Sequence, residues 1–234
     1  MQQQSSRARS DSGFSLIELM IALAVTLAIL VMSSQLILGA LRVRSRENQR
    51  SEALADAQRA LYVMSREIAN AGFGLSDNGL VAADTGLSTI RVRGNFNAMD
   101  GQLTSTSTSD ADEDIEYALY QNGTDSYIVR FDTNTGARTK ILSNRVDSLK
   151  IRYFADKVTY ASGNCDDPTA PCCDIAVGGG ASEVAQKTDA KYVVMTVCVQ
   201  LPAQGAPGTV GYQPPSRLQL ISDVTLRNAD LVNY

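Results

Sequence analysis

An uncharged apolar stretch near the N-terminus most constrains what this chain can fold into. No charged residue occurs between Glu18 and Arg42, and these about 23 residues are long enough as a helix to cross a hydrocarbon core of roughly 30 Å. A short polar leader, MQQQSSRARSDSG, precedes the stretch. A secretory signal would place its cleavage site after the apolar residues, whereas the small-residue junction Ser12-Gly13 lies before them. The stretch is therefore predicted to span a membrane.

The apolar residues begin at Phe14, so Glu18 places a carboxylate about four residues into the apolar region, where an unpaired charge costs several kcal/mol. It therefore needs a cationic partner. If the chain were cut after Gly13, the new α-amine of Phe14 would lie one helical turn from Glu18. A neighbouring subunit could offer its own amine to the same carboxylate. The alternative is an uncut signal anchor whose Glu18 is tolerated at the membrane interface.

The residues at this junction, GFSLIEL at positions 13–19, resemble the class III leader junction of type IV prepilins and pseudopilins. The resemblance implies cleavage between Gly13 and Phe14 by a prepilin peptidase, N-methylation of Phe14, and packing of the apolar helix into a filament core. It also implies that the C-terminal part lies outside the cytoplasm. Charge counting leaves this orientation open, because arginines flank the stretch on both sides: Arg7, Arg9, Arg42, Arg44, Arg46 and Arg50.

The helix is predicted to continue beyond the apolar stretch. No proline precedes Pro168, and residues 42–71 are rich in residues that favour helix. The glycines after Ala71 supply a stop, so a helix from Phe14 to about Asn70 would be on the order of 85 Å long. Gly39 marks a candidate bend. A stripe with helical spacing is expected to pack on a sheet or another helix: Leu54, Ala57, Leu61, Met64, Ile68 and Ala71.

After Gly74 the pattern changes to short runs typical of β-strands. These runs are residues 89–93, 115–120, 126–131, 148–154, 192–201 and 217–226. Turn residues at 122–125 predict a hairpin, and those at 132–136 predict another turn. The predicted fold class is α+β, with the long N-terminal helix packed on a mostly antiparallel β-sheet head. The type IV pilin fold implied by the resemblance has the same arrangement.

The predicted division of the chain follows these changes in pattern. It comprises a leader at 1–13 that is removed, a transmembrane or filament-core helix at 14–41, an amphipathic helix at 42–72, and a β-rich head at 73–234 with a cysteine-rich insertion at 162–187.

The segment Leu61–Gly74, LYVMSREIANAGFG, is similar to the helix end of PilW-type minor pilins and of the related J-type pseudopilins of type II secretion. Later blocks are similar in the same order: 114–117, 127–130, 146–153 and 224–228. The resemblance implies a minor pilin that takes part in pilus assembly near the filament tip. A J-type pseudopilin of a secretion system is the alternative within this class.

The same resemblance implies where the protein works and with what. The expected partners are the major pilin, other minor pilins, the prepilin peptidase, the inner-membrane assembly platform and membrane lipid. The expected location is the inner membrane, crossed once with the head in the periplasm, and then the extracellular filament.

Four cysteines lie in the region placed outside the cytoplasm, where oxidising conditions favour disulfides. A bond between the adjacent Cys172 and Cys173 would be strained. Two connectivities remain: Cys165–Cys172 with Cys173–Cys198, or Cys165–Cys173 with Cys172–Cys198. A zinc site of four thiolates is the alternative, which the exported location and the C-x6-C-C spacing disfavour.

Residues 104–114, TSTSTSDADED, are predicted to form a solvated polar loop. Asp110, Asp112 and Asp114 have the alternating spacing with which a calcium loop begins. No Gly follows at the sixth position and no Glu at the twelfth, where a calcium loop needs a turn and a bidentate ligand. A membrane-anchored, calcium-binding adhesin is therefore kept as a second alternative.

The absence of histidine removes several classes of function. Ser-His-Asp and Cys-His nucleophiles, His-ligated zinc and His proton shuttles are all excluded. No nucleophile lies beside a suitable base, so we expect no enzyme and no cofactor. The net charge of -4 and the lack of a long basic run predict no binding of nucleic acid.

Overall fold

A computed structural model of the chain describes residues 15–96, 108–123, 125–142, 146–163, 165 and 174–229. It begins with one continuous helix, α1 (Leu16–Ala69), of 54 residues. No proline interrupts this range, so the helix runs unbroken for about 80 Å. α1 ends close to the predicted Asn70. There the Asn70 N–H donates to the Glu67 carbonyl and the Ala71 N–H donates to the Ile68 carbonyl, at 3.1 Å each, and Gly72 turns the chain with φ +78°.

The two halves of α1 have different surroundings. In the N-terminal half the apolar side chains are exposed. Within the described part of the chain, no residue of the most apolar 18-residue stretch is buried. In the C-terminal half a stripe is buried against the head: Ala53, Ala57, Ala60, Leu61, Met64, Ile68 and Ala69. The stripe includes Ala53 in place of the predicted Leu54, which is only half-buried, because alanines let the helix lie close to the sheet below it.

Two main antiparallel sheets form the head. β1 (Thr89–Arg93), β2 (Asp114–Asn122), β3 (Asp125–Asp132) and β4 (Arg138–Leu142) make a four-stranded sheet in chain order. The second sheet begins with β5 (Val146–Phe154). A short pair, β6 (Tyr160–Ala161) and β7 (Ala176–Val177), follows, and β8 (Tyr192–Leu201) and β9 (Ser216–Thr225) complete the second sheet in the order β5-β8-β9.

The fold class is α+β, as predicted. Every predicted strand is present with its ends displaced by at most two residues, and residues 122–125 connect β2 to β3 as a hairpin. The sequence pattern missed β4, β6 and β7. β4 is a short edge strand with mostly exposed side chains, and β6 and β7 have two residues each, so none carries a strong apolar alternation. The structure also has two main sheets where a single sheet was expected, because β5 pairs with the distant β8 and not with β4.

β8 is the central strand of the second sheet, and it is buried on both faces. Val193, Met195 and Val197 face the main core beneath α1. Tyr192 and Val194 face the other way, where Ile175 of the cysteine-rich insertion covers them. This double burial explains why the strand reads as a continuous apolar run and not as an alternation.

A polar contact ties α1 to the four-stranded sheet. The Tyr117 hydroxyl of β2 donates to Glu67 Oε2, and Arg130 Nε of β3 donates to the same oxygen at 3.0 Å. The head is therefore fixed to α1 through apolar packing on β8 and β9 and through this partly buried network.

Candidate assembly interface

The first turn of α1 carries Glu18. The N–H groups of Glu18 and Leu19 donate to the Ser15 carbonyl at 3.0 and 3.2 Å. A carboxylate at this position is favoured by the partial positive charge of a helix N-terminus. Gly13 and Phe14 lie outside the described residues, so the cleavage, the methylation and the pairing of Glu18 with an amine stay predictions.

Beyond Glu18, α1 presents apolar side chains on all sides. Two of its four polar side chains bond to the helix backbone: the Thr26 hydroxyl donates to the Ala22 carbonyl, and the Ser34 hydroxyl donates to the Leu30 carbonyl at 2.8 Å. A helix that is almost entirely apolar on all sides suits a lipid or a protein interior. This half of α1 is therefore a surface that needs lipid or other helices around it.

The loop between β8 and β9, residues 202–215, reaches along α1 toward the exposed half. We call it the β8–β9 loop. Gln204 and Gln213 exchange two backbone hydrogen bonds of 2.9 and 3.0 Å that close its base. The Tyr212 N–H donates to the Thr209 carbonyl, and the Thr209 N–H donates to the Ala206 carbonyl, at 3.1 Å each. The loop is therefore a compact unit held against the helix.

Two arginines of α1 bind this loop. Arg46 is buried and donates to the Pro202 carbonyl, to the Pro214 carbonyl at 2.9 Å and to the Ser216 hydroxyl at 2.7 Å. One turn earlier, Arg42 donates to the Val210 carbonyl at 2.7 Å and to the Thr209 hydroxyl at 3.0 Å. Both guanidinium groups are used as multiple donors to the loop, a role that suits their fork of N–H groups.

Gly39 of α1 and Gly211 of the loop allow the closest approach between the two elements. A Cβ built on Gly211 would lie 2.6 Å from the Gly39 Cα atom, and one built on Gly39 would lie 3.0 Å from Val210 Cγ1. Gly211 also has φ +75°, where a side chain is strained. Gly39 therefore marks a docking point for the loop, which differs from the bend predicted from its low helix propensity.

Sequence reasoning missed this docking. In the sequence Arg42 and Arg46 indicate only charges that flank the apolar stretch, and no motif marks residues 202–215. One signal was available: no charged residue occurs between Leu201 and Arg217, in a stretch that contains four of the six prolines. Nothing in the sequence relates that stretch to a helix more than 150 residues earlier.

Two of the four cysteines, Cys165 and Cys198, lie on the covered face of the second sheet. Cys198 is buried in β8, and Cys165 packs against it. Cys172 and Cys173 lie outside the described residues. The two proposed disulfide connectivities therefore both stay predictions.

The three aspartates of the calcium candidate contact other protein groups. The backbone carbonyl of Asp110 accepts from Asn134 Nδ2 at 2.6 Å. The prediction that Asp114 lies in a solvated loop is wrong. Asp114 begins β2 and is buried. Its carboxylate accepts from Arg91 Nε and Nη2 at 2.7 and 2.8 Å, and from Arg93 Nε at 2.9 Å. Asp112 Oδ1 accepts from Arg130 Nη2 at 2.6 Å. Within the described ranges no three acidic, Cys or His side chains gather where a metal ion could bind.

The arginines control the ionisation of Asp114. Burial alone would raise its pKa, but the hydrogen bonds and charges of Arg91 and then Arg93 outweigh burial and hold the pKa below its ordinary value. Asp114 is therefore an ionised structural carboxylate, already neutralised by two cations, and it has no free charge to offer a calcium ion.

Comparison with known proteins agrees with the N-terminal assignment. No match to the sequence was found among curated proteins. Among solved structures, a type IV-like pilin from Thermus thermophilus is similar over 75% of this chain and 97% of that chain, with 13% sequence identity and a TM-score of 0.38. The family model of the prokaryotic N-terminal methylation motif matches residues 8–34. This motif includes the GFSLIEL junction and most of the apolar helix, so the N-terminal part of the chain is similar to that of type IV prepilins.

Proposed function

We propose that this chain is a minor pilin, a low-copy subunit that takes part in assembling a type IV pilus from the inner membrane. The observation that carries the proposal is the exposed apolar half of α1, together with the methylation motif at residues 8–34 that includes most of it. In the membrane this half is surrounded by lipid. In a filament it packs among the same helices of other subunits, so one surface serves both states.

Glu18 has a defined part in this function. It lies in the first turn of α1, two residues from the helix start, within an apolar surface that lacks a cation. Pairing with the α-amine of Phe14 on an adjoining subunit removes the cost of an unpaired carboxylate in that surface. Because the pair forms only at one axial offset between neighbouring helices, it sets the register of the filament core.

The head is the part that distinguishes this subunit from its neighbours in the filament. It is held to α1 by the buried stripe, by the Tyr117–Glu67–Arg130 network and by the β8–β9 loop. A head fixed to the helix at three levels moves as one body with it, so the position of α1 in the core determines where the head is presented. The resemblance of residues 61–74 to PilW-type minor pilins supports a position near the tip.

Mass spectrometry of the mature N-terminus tests the proposal. The protein is recovered separately from membranes and from sheared surface filaments of the native cell. A methylated Phe14 is expected as the first residue in both fractions, since cleavage precedes assembly.

The distribution between the fractions separates the possibilities. The processed chain confined to membranes would favour the J-type pseudopilin, whose assembly does not extend from the cell surface. An intact Met1 in both fractions would overturn the prepilin function and leave a membrane-anchored protein.

A further inference from the structure

The tip of the β8–β9 loop lies at the level where the membrane-spanning part of α1 must leave the bilayer. Centred on the uncharged stretch between Glu18 and Arg42, a hydrocarbon core of about 30 Å covers roughly 20 residues, and its outer edge falls near Gly39. Gly211 is packed against Gly39 backbone to backbone. A loop in contact with α1 at that level cannot remain far from the lipid headgroups.

The chemistry of the loop suits that position. It carries no charged residue between Leu201 and Arg217, and Val210 at its tip is 51% exposed. Tyr212, two residues on, is an aromatic residue of the kind enriched at membrane interfaces.

Several polar groups of the loop also have hydrogen-bond partners within the protein, which a loop exposed only to water would not need. Arg42 donates to the Val210 carbonyl and the Thr209 hydroxyl, and the loop closes its own base through Gln204 and Gln213. Backbone that approaches lipid needs such internal partners, since lipid offers few. The Arg42 side chain reaches them while its Cα stays at the edge of the apolar stretch.

We propose that residues 206–211 form a second, interfacial contact with the phospholipid bilayer beside α1, with Val210 directed toward the acyl chains. The contact fixes the height and tilt of the head above the membrane before assembly. The inference rests on the membrane-spanning helix of the proposed function, and extends it to a part of the head.

Tryptophan fluorescence tests this directly, because the chain contains no Trp. Val210→Trp is introduced into the full chain and reconstituted in nanodiscs with phospholipids brominated at a shallow or a deep acyl position. The matched control is Tyr62→Trp on α1, where the native side chain is 69% exposed and lies about 35 Å beyond Gly39 along the helix. Leu30→Trp, at the centre of the span, reports insertion of the helix itself.

We expect Val210→Trp to emit at shorter wavelength than Tyr62→Trp and to be quenched severalfold more by the shallow bromines. Leu30→Trp should be quenched most by the deep bromines. Ala206→Trp is a second reporter on the tip, in case the bulk at position 210 detaches the loop.

Two results would overturn the inference, and they differ in whether the membrane anchoring of the proposed function fails as well. If Val210→Trp and Ala206→Trp both match Tyr62→Trp while Leu30→Trp is quenched, the loop stands clear of the bilayer and only this inference fails. If Leu30→Trp is not quenched, the helix does not span the membrane, and the anchoring in the proposed function fails with it.

Discussion

Gly39 and Gly211 lie 172 positions apart in the sequence yet pack backbone to backbone, so that a Cβ on Gly211 would lie 2.6 Å from the Gly39 Cα atom. This contact joins the β8–β9 loop to the C-terminal end of the uncharged stretch of α1. Its energetic importance can be measured, because Gly208 in the same loop offers a matched control.

Gly211→Ala should release the β8–β9 loop from α1. The new Cβ meets backbone of Gly39, which cannot move without bending the helix, and φ +75° adds strain of about 1–2 kcal/mol. Gly208→Ala has comparable strain at φ +83° but no atom within 4 Å of its Cβ. Hydrogen exchange of amides in 202–215 should therefore be accelerated more in Gly211→Ala, by roughly 5–30-fold for an extra 1–2 kcal/mol. Equal exchange in the two variants would contradict a tight glycine contact.

Arg46→Lys should destabilise the same attachment from the other side. Arg46 is 7% exposed and donates to three acceptors around the base of the loop, and a lysine cannot reach all of them. The loss of charged hydrogen bonds predicts a cost of about 2–3 kcal/mol.

The control for Arg46 is Arg44→Lys, two residues away on the exposed side of α1. It should stay within about 0.5 kcal/mol of the unaltered chain. Thermal unfolding of the detergent-solubilised chain, followed by the near-UV signal of its tyrosines, compares the two. Similar unfolding temperatures for both variants would show that the Arg46 bonds contribute little.

Asp114 should make the stability of the head fall in acid. Its pKa is lowered in the folded state, so the unfolded chain takes up a proton first as the pH falls. The stabilisation is complete above the ordinary Asp value near 3.9 and is lost as the pH falls through the lower, folded value.

Asp114→Asn tests this sign. It should cost about 3 kcal/mol at neutral pH, because two arginines lose a carboxylate that is 5% exposed, and it should flatten the decline below pH 4. Asp125→Asn changes an exposed carboxylate at the opposite end of the β2–β3 hairpin. This variant should keep the full decline of stability in acid. Urea unfolding at a series of pH values measures both, and an unchanged slope in Asp114→Asn would contradict the assignment.

Glu18→Gln should reduce entry into filaments while leaving the amount in the membrane unchanged. The amide keeps the size of the side chain but removes the charge that attracts a neighbouring amine. A loss of about 1.5–3 kcal/mol per contact predicts a filament fraction reduced on the order of 10–100-fold. Glu47→Gln, an exposed site on α1 outside the apolar stretch, is the control. Immunoblots of sheared filaments and membranes measure the ratio, and normal incorporation of Glu18→Gln would remove this role of the carboxylate.

The cysteines should be fully paired in the exported protein. Alkylation before reduction should add nothing to the intact mass, and alkylation after reduction should add four adducts, one for each cysteine. Peptide mapping then distinguishes Cys165–Cys172 with Cys173–Cys198 from Cys165–Cys173 with Cys172–Cys198. An adduct on unreduced protein would contradict two disulfides.

Local pattern predicted much of the fold. The uncharged stretch and the helix-forming residues after it predicted α1, since helix stability depends on residues three and four apart. Strands such as β1 and β2 were found from short apolar runs, and the hairpin at 122–125 from its turn residues. β8 was found for the same reason, although only the structure shows that the cysteine-rich insertion covers its second face.

Contacts between residues far apart in the chain could not be predicted from local sequence pattern. The polar, acidic run that ends at Asp114 predicts a solvated loop, whereas the arginines that bind and bury its carboxylate lie on the neighbouring strand β1. The division of the head into two sheets depends on which strands pair, and β5 pairs with a strand almost 40 residues later.

The sequence by itself determined the long apolar helix, the prepilin-like junction, six of the strands and the α+β class, because each depends on a composition or period within a few consecutive residues. Only the tertiary structure decided that the β8–β9 loop docks at Gly39, that Arg42 and Arg46 hold it, and that Asp114 is a buried ion-pair partner. These contacts join residues far apart in the chain, and their free energy arises from close packing and paired charges that exist only once the head has folded against α1.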